Sequence, residues 1–143
     1  MPTDRGLSFD PTGLHAWDVI FPRDALIYPP SWKLWVCVQP ALLWFMRIST
    51  ERYTDGCVLL PRAHHPFLDR DSHMGCWGDL IEMDEASLQL AIAGQGQAER
   101  RGVIGQVATL FRPLVVAAIE DANNIRLAPA KRRAILAALT TSA

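Results

Sequence analysis

The sequence lacks most of the short signatures that assign a chemistry at sight. Its three cysteines, Cys37, Cys57 and Cys76, form no CxxC pair. An odd number without such a pair fits reduced thiols in a cytoplasmic protein rather than a disulfide framework. No GxSxG elbow presents Ser72, and its neighbours Asp71 and His73 are too close in sequence for a triad, which is assembled from distant elements. The glycines of "GQGQAERRG" (94–102) follow a helical pattern rather than a strand. Phosphate-cradling loops need the opposite order, so dinucleotide and P-loop readings fail on context. Charge of one sign is also missing. Fourteen Lys and Arg face fifteen Asp and Glu, a formal net charge of −1, which excludes the concentrated basic surface of bulk nucleic-acid binding. Only the local clusters Arg100–Arg101 and Lys131–Arg132–Arg133 supply a basic patch. No long hydrophobic run exists either. The longest, "LWVCVQPALLWFM", is interrupted by Gln39 and Pro40 and is too short to span a bilayer. The opening "MPTDRGLSFD" has two aspartates and no apolar core, unlike a signal peptide. A cytoplasmic chain without a membrane segment is expected.

What is present suits a folded core, because half the residues are hydrophobic and a fifth are charged. The length fits one domain over 1–143, with a strand-rich part at 14–83 and a helical part at 84–143. "LHAWDVIF" reads as a strand ending before Pro22, and "DALIYPPS" as a loop, since tandem prolines cannot join a sheet ladder. "WKLWVCVQ" and "LLWFMRIST" read as a hairpin turning at Gln39–Pro40–Ala41. "CVLLP" is a further strand and "CWGDLIEM" a short closing one. Asp84 stands where an N-cap belongs, with Leu88, Leu90 and Ile92 following and Gly94 ending the helix. "LFRPLVVAAIEDANN" is helical, with Pro113 tolerated in its first turn. A last helix starts at Pro129, and its apolar face of Ile135, Leu136 and Leu139 must dock somewhere. Short strands followed by helices indicate an α+β fold. Five to six strands of this length are expected to close into a small barrel, which removes exposed edges.

The stretch "RAHHPFLDRDSHMGC" (62–76) gathers three of the four histidines. A zinc set would draw on Cys57, His64, His65, His73 and Cys76. Only His73 and Cys76 have knuckle spacing, and adjacent His64 and His65 point to opposite faces of an extended chain. The expected reading is a polar turn: Pro66 holds His65 extended, Phe67 plugs into the core, and Asp71 and Ser72 bond nearby backbone. Of the five tryptophans, most are expected in the core, with one or two available for stacking on bases.

The succession of an apolar strand, a strand ending "RIST", "GCVLLP", "HHPFLDRDSHM", "LIEMDEASL" and "RGVIGQVATLFRPLVVAAI" resembles the PemK/MazF-like toxin group, over roughly residues 15 to 122. The resemblance implies an SH3-like barrel that forms homodimers and is held by an antitoxin peptide. It also implies a ribosome-independent endoribonuclease that uses the 2′-hydroxyl of single-stranded RNA as nucleophile, with no metal or other cofactor. By position it implies that Lys33 or Arg23 supplies positive charge, that Ser49 or Thr50 bonds the phosphate, and that His65 or His15 serves as acid or base. Where active members carry an Arg-Pro pair, this chain has "SWKLW". A second function class stays open beside the enzyme, a non-catalytic module that binds a peptide or protein in the same groove. A zinc-stabilised structural domain is the third.

Overall fold

The computed structural model describes residues 9–51 and 55–141. Strands β1 (Asp18–Ile20), β4 (Leu34–Gln39), β5 (Trp44–Ser49), β6 (Cys57–Leu60), β7 (Ser72–Gly75), β8 (Ile81–Glu82) and β9 (Val103–Gln106) form one sheet. Two further strands, β2 (Arg23–Asp24) and β3 (Ser31–Trp32), pair only with each other. Helices α1 (Glu85–Ala93), α2 (Arg112–Glu120) and α3 (Pro129–Thr141) complete the α+β fold. Among the described residues no helix is long and apolar enough to cross a membrane.

The sheet runs β6-β7-β5-β4-β1-β9, with β8 also on β5, and every pairing is antiparallel. It is not closed into a barrel: β6 and β9 end the order without meeting. The physical reason lies in β4. Val36 and Val38 enter one apolar cluster while the alternate residues Trp35 and Cys37 enter another. A small closed barrel has one dry interior, whereas this sheet buries both faces and therefore needs a cover on each. Val115 and Ile119 of α2 and Ile135 and Leu139 of α3 cover the first face. Leu88 and Ile92 of α1, with Phe9 and Leu14, cover the second.

The local signals for the helices act as their residue types require. The Asp84 carboxylate accepts the Ser87 N–H at 2.7 Å and caps α1. Pro113 and Pro129 sit in first turns, where no amide hydrogen is needed. α3 is tied to the sheet by Gln39 Nε2 donating to the Ala134 carbonyl at 2.8 Å and by Trp17 Nε1 donating to Leu139 at 3.3 Å. The stretch expected as a polar turn at 62–76 contains β7, and the glycine-containing stretch 94–102 leads directly into β9. Both strands are short and contain glycine, so neither reads as a strand by composition.

Gly56 ends the turn into β6 at φ 75°, and a β-carbon there would overlap the Trp77 ring. That ring is held in place by its Nε1 donating to Ala118 at 2.8 Å. Gly56→Ala therefore meets both a left-handed backbone and a ring that cannot yield. It is expected to cost about 2–4 kcal/mol in urea unfolding, and an unchanged midpoint would refute this account of the turn.

Candidate functional site

Alternation along β5 decides which side chains reach the site. Met46 and Ile48 point into the cluster beneath α2 and α3, so Arg47 and Ser49 point to the opposite face. There the β2–β3 hairpin stands beside the ends of β5, β6 and β7 and leaves an open cleft of about 500 Å³. Its lining includes Lys33, Arg47, Ser49, Cys57 and His73, with Tyr28 and Ser31 on the hairpin side. Ser49 and His73 are register partners of the β5–β7 ladder, a position that brings Cβ atoms to about 4.5–5.5 Å. The Nδ1 atom of His73 is buried and has no hydrogen-bond partner among the described residues. Ser49 Oγ accepts the Glu51 N–H at 3.3 Å, and its own proton has no acceptor among the described residues.

The hairpin wall is fixed by a buried ion pair. Asp24 is fully buried, and its Oδ2 accepts from Arg47 Nε at 2.7 Å and from Trp35 Nε1 at 3.1 Å. Its Oδ1 accepts from the Leu26 N–H at 3.0 Å and from Arg47 Nη2 at 3.3 Å. Burial on its own raises the Asp24 pKa, but the Arg47 guanidinium, the Trp35 indole and the Leu26 amide outweigh it and hold the carboxyl below its ordinary value. A second pair, Arg126 with Asp79 at 3.1 Å, also lines the cleft and is open to solvent. Exposed pairs of that kind hold their partners weakly.

Two of the six residues named from the sequence, Lys33 and Ser49, meet in this cleft. Thr50 lies just past the end of β5, exposed and off the lining. Arg23 is exposed on β2, on the side of the strand opposite the buried Asp24. His65 is fully buried elsewhere. The Ala108 N–H donates to its Nε2 at 3.0 Å, so Nδ1 carries the proton and donates to the Pro61 carbonyl at 2.8 Å. With both ring nitrogens occupied, His65 holds its loop against the segment after β9 and has no free atom for chemistry. His15 is solvent-exposed next to Asp18, away from the cleft. Asp71 accepts the Arg62 N–H at 2.9 Å and Ser72 donates to the Arg70 carbonyl at 2.9 Å, as turn residues do. Among the described residues no three His, Cys, Asp or Glu side chains gather as a metal site, and the set Cys57, His64, His65, His73 and Cys76 does not converge.

Comparison with protein-family models, with curated proteins and with solved structures finds no match for the chain. The cleft must therefore be read from its own residues. The sequence alone does not single out Arg47 or Asp24, and it brings in His73 only as a zinc ligand or as a neighbour of Ser72. The available signal was the alternation of β5, which puts Arg47 on the same face as Ser49.

Asp24 makes a pH-dependent contribution to stability. Because its folded pKa lies below the unfolded value of about 4, the contribution is complete above that value and is lost as pH falls through the lower folded one. Asp24→Asn should cost on the order of 3 kcal/mol at pH 7. The gap from the wild type should narrow below about pH 4. Urea unfolding at pH 7, 5 and 3 measures this, and a gap that does not change with pH would count against the ion pair.

Proposed function

We propose that the protein is a metal-independent endoribonuclease of the PemK/MazF type that cleaves single-stranded RNA through the RNA's own 2′-hydroxyl. The observation that supports this reading is one cleft lined by a cation, a hydroxyl and an imidazole: Lys33, Ser49 and His73. The 2′-oxygen attacks the adjacent phosphorus, the bond to the 5′-oxygen breaks, and a 2′,3′-cyclic phosphate and a 5′-hydroxyl result. No oxidant, reductant or water is consumed. His73 replaces His65 in the acid–base role, because an imidazole takes the 2′-proton and returns one to the leaving oxygen. Lys33 stabilises the charge that grows on the phosphorane and Ser49 donates a hydrogen bond to it. Arg23, Thr50 and His65 have no part in this version of the site.

The finer structural reading goes with it: the strongly covered sheet is an opened relative of the SH3-like barrel. A cytoplasmic toxin of this kind has an antitoxin partner and forms a homodimer. The hairpin beside the cleft offers exposed Leu26 and Tyr28 as a place for a protein to cover it. Those same side chains favour the second reading, a non-catalytic module that binds a peptide there.

Purified protein incubated with single-stranded RNA in EDTA should yield fragments ending in cyclic phosphate. His73→Ala is expected to slow cleavage by about 10²–10⁴-fold, and Lys33→Ala by about 10²-fold. Intact RNA with the wild type would remove the enzymatic reading, and capture of a peptide by the hairpin face would then favour the binding module.

A further inference from the structure

The proposed ribonuclease assigns no task to Arg47, although its guanidinium is the most constrained cation in the cleft. Two of its three nitrogens are committed, Nε at 2.7 Å and Nη2 at 3.3 Å to the two oxygens of Asp24. The remaining nitrogen, Nη1, has no hydrogen-bond partner among the described residues. The side chain is 24% exposed, and Arg47 lines the cleft. A guanidinium is planar, so fixing one edge on a buried carboxylate fixes the direction of the other donors. The partner carboxylate is itself immobilised by the Trp35 indole and the Leu26 amide.

From this arrangement we infer that Arg47 is an oxyanion-binding residue, aimed by Asp24, which together with Lys33 and Ser49 forms a phosphate site on the floor of the cleft. Donors of three kinds then face one ligand. Arg47 offers the N–H groups of Nη1, Ser49 its hydroxyl proton, and Lys33 an ammonium with no ion-pair partner among the described residues. A tetrahedral phosphate or phosphodiester has enough oxygens to accept from all three. The division of labour follows from charge. Asp24 neutralises Arg47, so Arg47 contributes direction, while Lys33 contributes net charge. Asp79 is paired with Arg126 on the same lining and Glu51 offsets Lys33, so diffuse attraction is small and directed donors are the basis of selectivity. The inference rests on the ribonuclease reading only for calling the ligand's source an RNA phosphodiester.

The test uses the full chain and inorganic phosphate, titrated at constant ionic strength with chloride as the control, and observes backbone and indole N–H signals by NMR. Saturable binding is expected, with a shift of the Trp35 indole signal, because that N–H and Arg47 Nε share the same Asp24 oxygen. Arg47→Lys should weaken binding at least tenfold, since the one ammonium goes to Asp24 and nothing is left for the cleft. Ser49→Ala, which leaves the ion pair intact, should weaken it several-fold and serves if the arginine variant does not fold. Binding that is unaltered in both variants, or a wild type that shows no saturable binding, overturns the phosphate site. Phosphate binding through Arg47 with RNA left intact would uphold the site and remove the ribonuclease. RNA cleavage that needs Lys33 and His73 but not Arg47 would do the reverse.

Discussion

A carboxylate with no exposed surface holds the cleft together. The β2–β3 hairpin has two residues in each strand and makes no ladder with the main sheet, and so short a ribbon is marginal on its own. Asp24 ties it to the sheet through Arg47 of β5 and Trp35 of β4. Taking a carboxylate out of water is costly unless it is paired and fully hydrogen-bonded. Four donors meet that requirement here. The hairpin therefore has one seating that satisfies its buried charge. That seating sets where Lys33, Ser31 and Tyr28 stand relative to Ser49 and His73.

The two ion pairs of the cleft show how burial divides structural from adaptable charge. Asp24 and Arg47 cannot part without leaving a carboxylate stranded in the interior, so their geometry is fixed. Asp79 and Arg126 lie in solvent, at 80% and 59% exposure, and separate at little cost. A ligand entering the cleft thus finds one rigid cation at its floor and one that exchanges partners at its rim.

Much of the α+β fold is legible in the sequence, because helix caps and prolines act locally. Asp84, Gly94, Pro113 and Pro129 mark the helix ends, and Gln39–Pro40–Ala41 marks the hairpin between β4 and β5. The sheet's closure is different. "LWVCV" is apolar at every position, and a strand of that kind is buried on both faces, a signal for a covered open sheet that the barrel expectation overlooked. β7 and β9 escape a local reading because "SHMG" and "VIGQ" acquire strand character only from distant partners. The site was half legible. Lys33 and Ser49 come from the positions that the family resemblance implies, but the histidines are sorted only by the fold, which buries His65 and puts His73 on the cleft lining. Arg47 looks like an ordinary outward cation until Asp24, 23 residues away, is brought beneath it.

Trp17 carries a consequence for how the chain is made. Its backbone stands at φ 78°, a conformation that a bulky residue holds only when its surroundings impose it. Those surroundings come from far apart. The Trp17 N–H donates to Cys37, its carbonyl accepts from Val107, its indole donates to Leu139, and Arg112 lies over the ring at 5.3 Å from the centroid. The indole contact spans 122 residues. During synthesis this tryptophan lacks its indole acceptor until residue 139 has left the ribosome. At ordinary elongation rates of about 5–20 residues per second, the residue leading into the first strand waits for several seconds with its side chain incompletely held. The nascent chain therefore offers chaperones, and premature association, an incompletely held tryptophan just before its N-terminal strand.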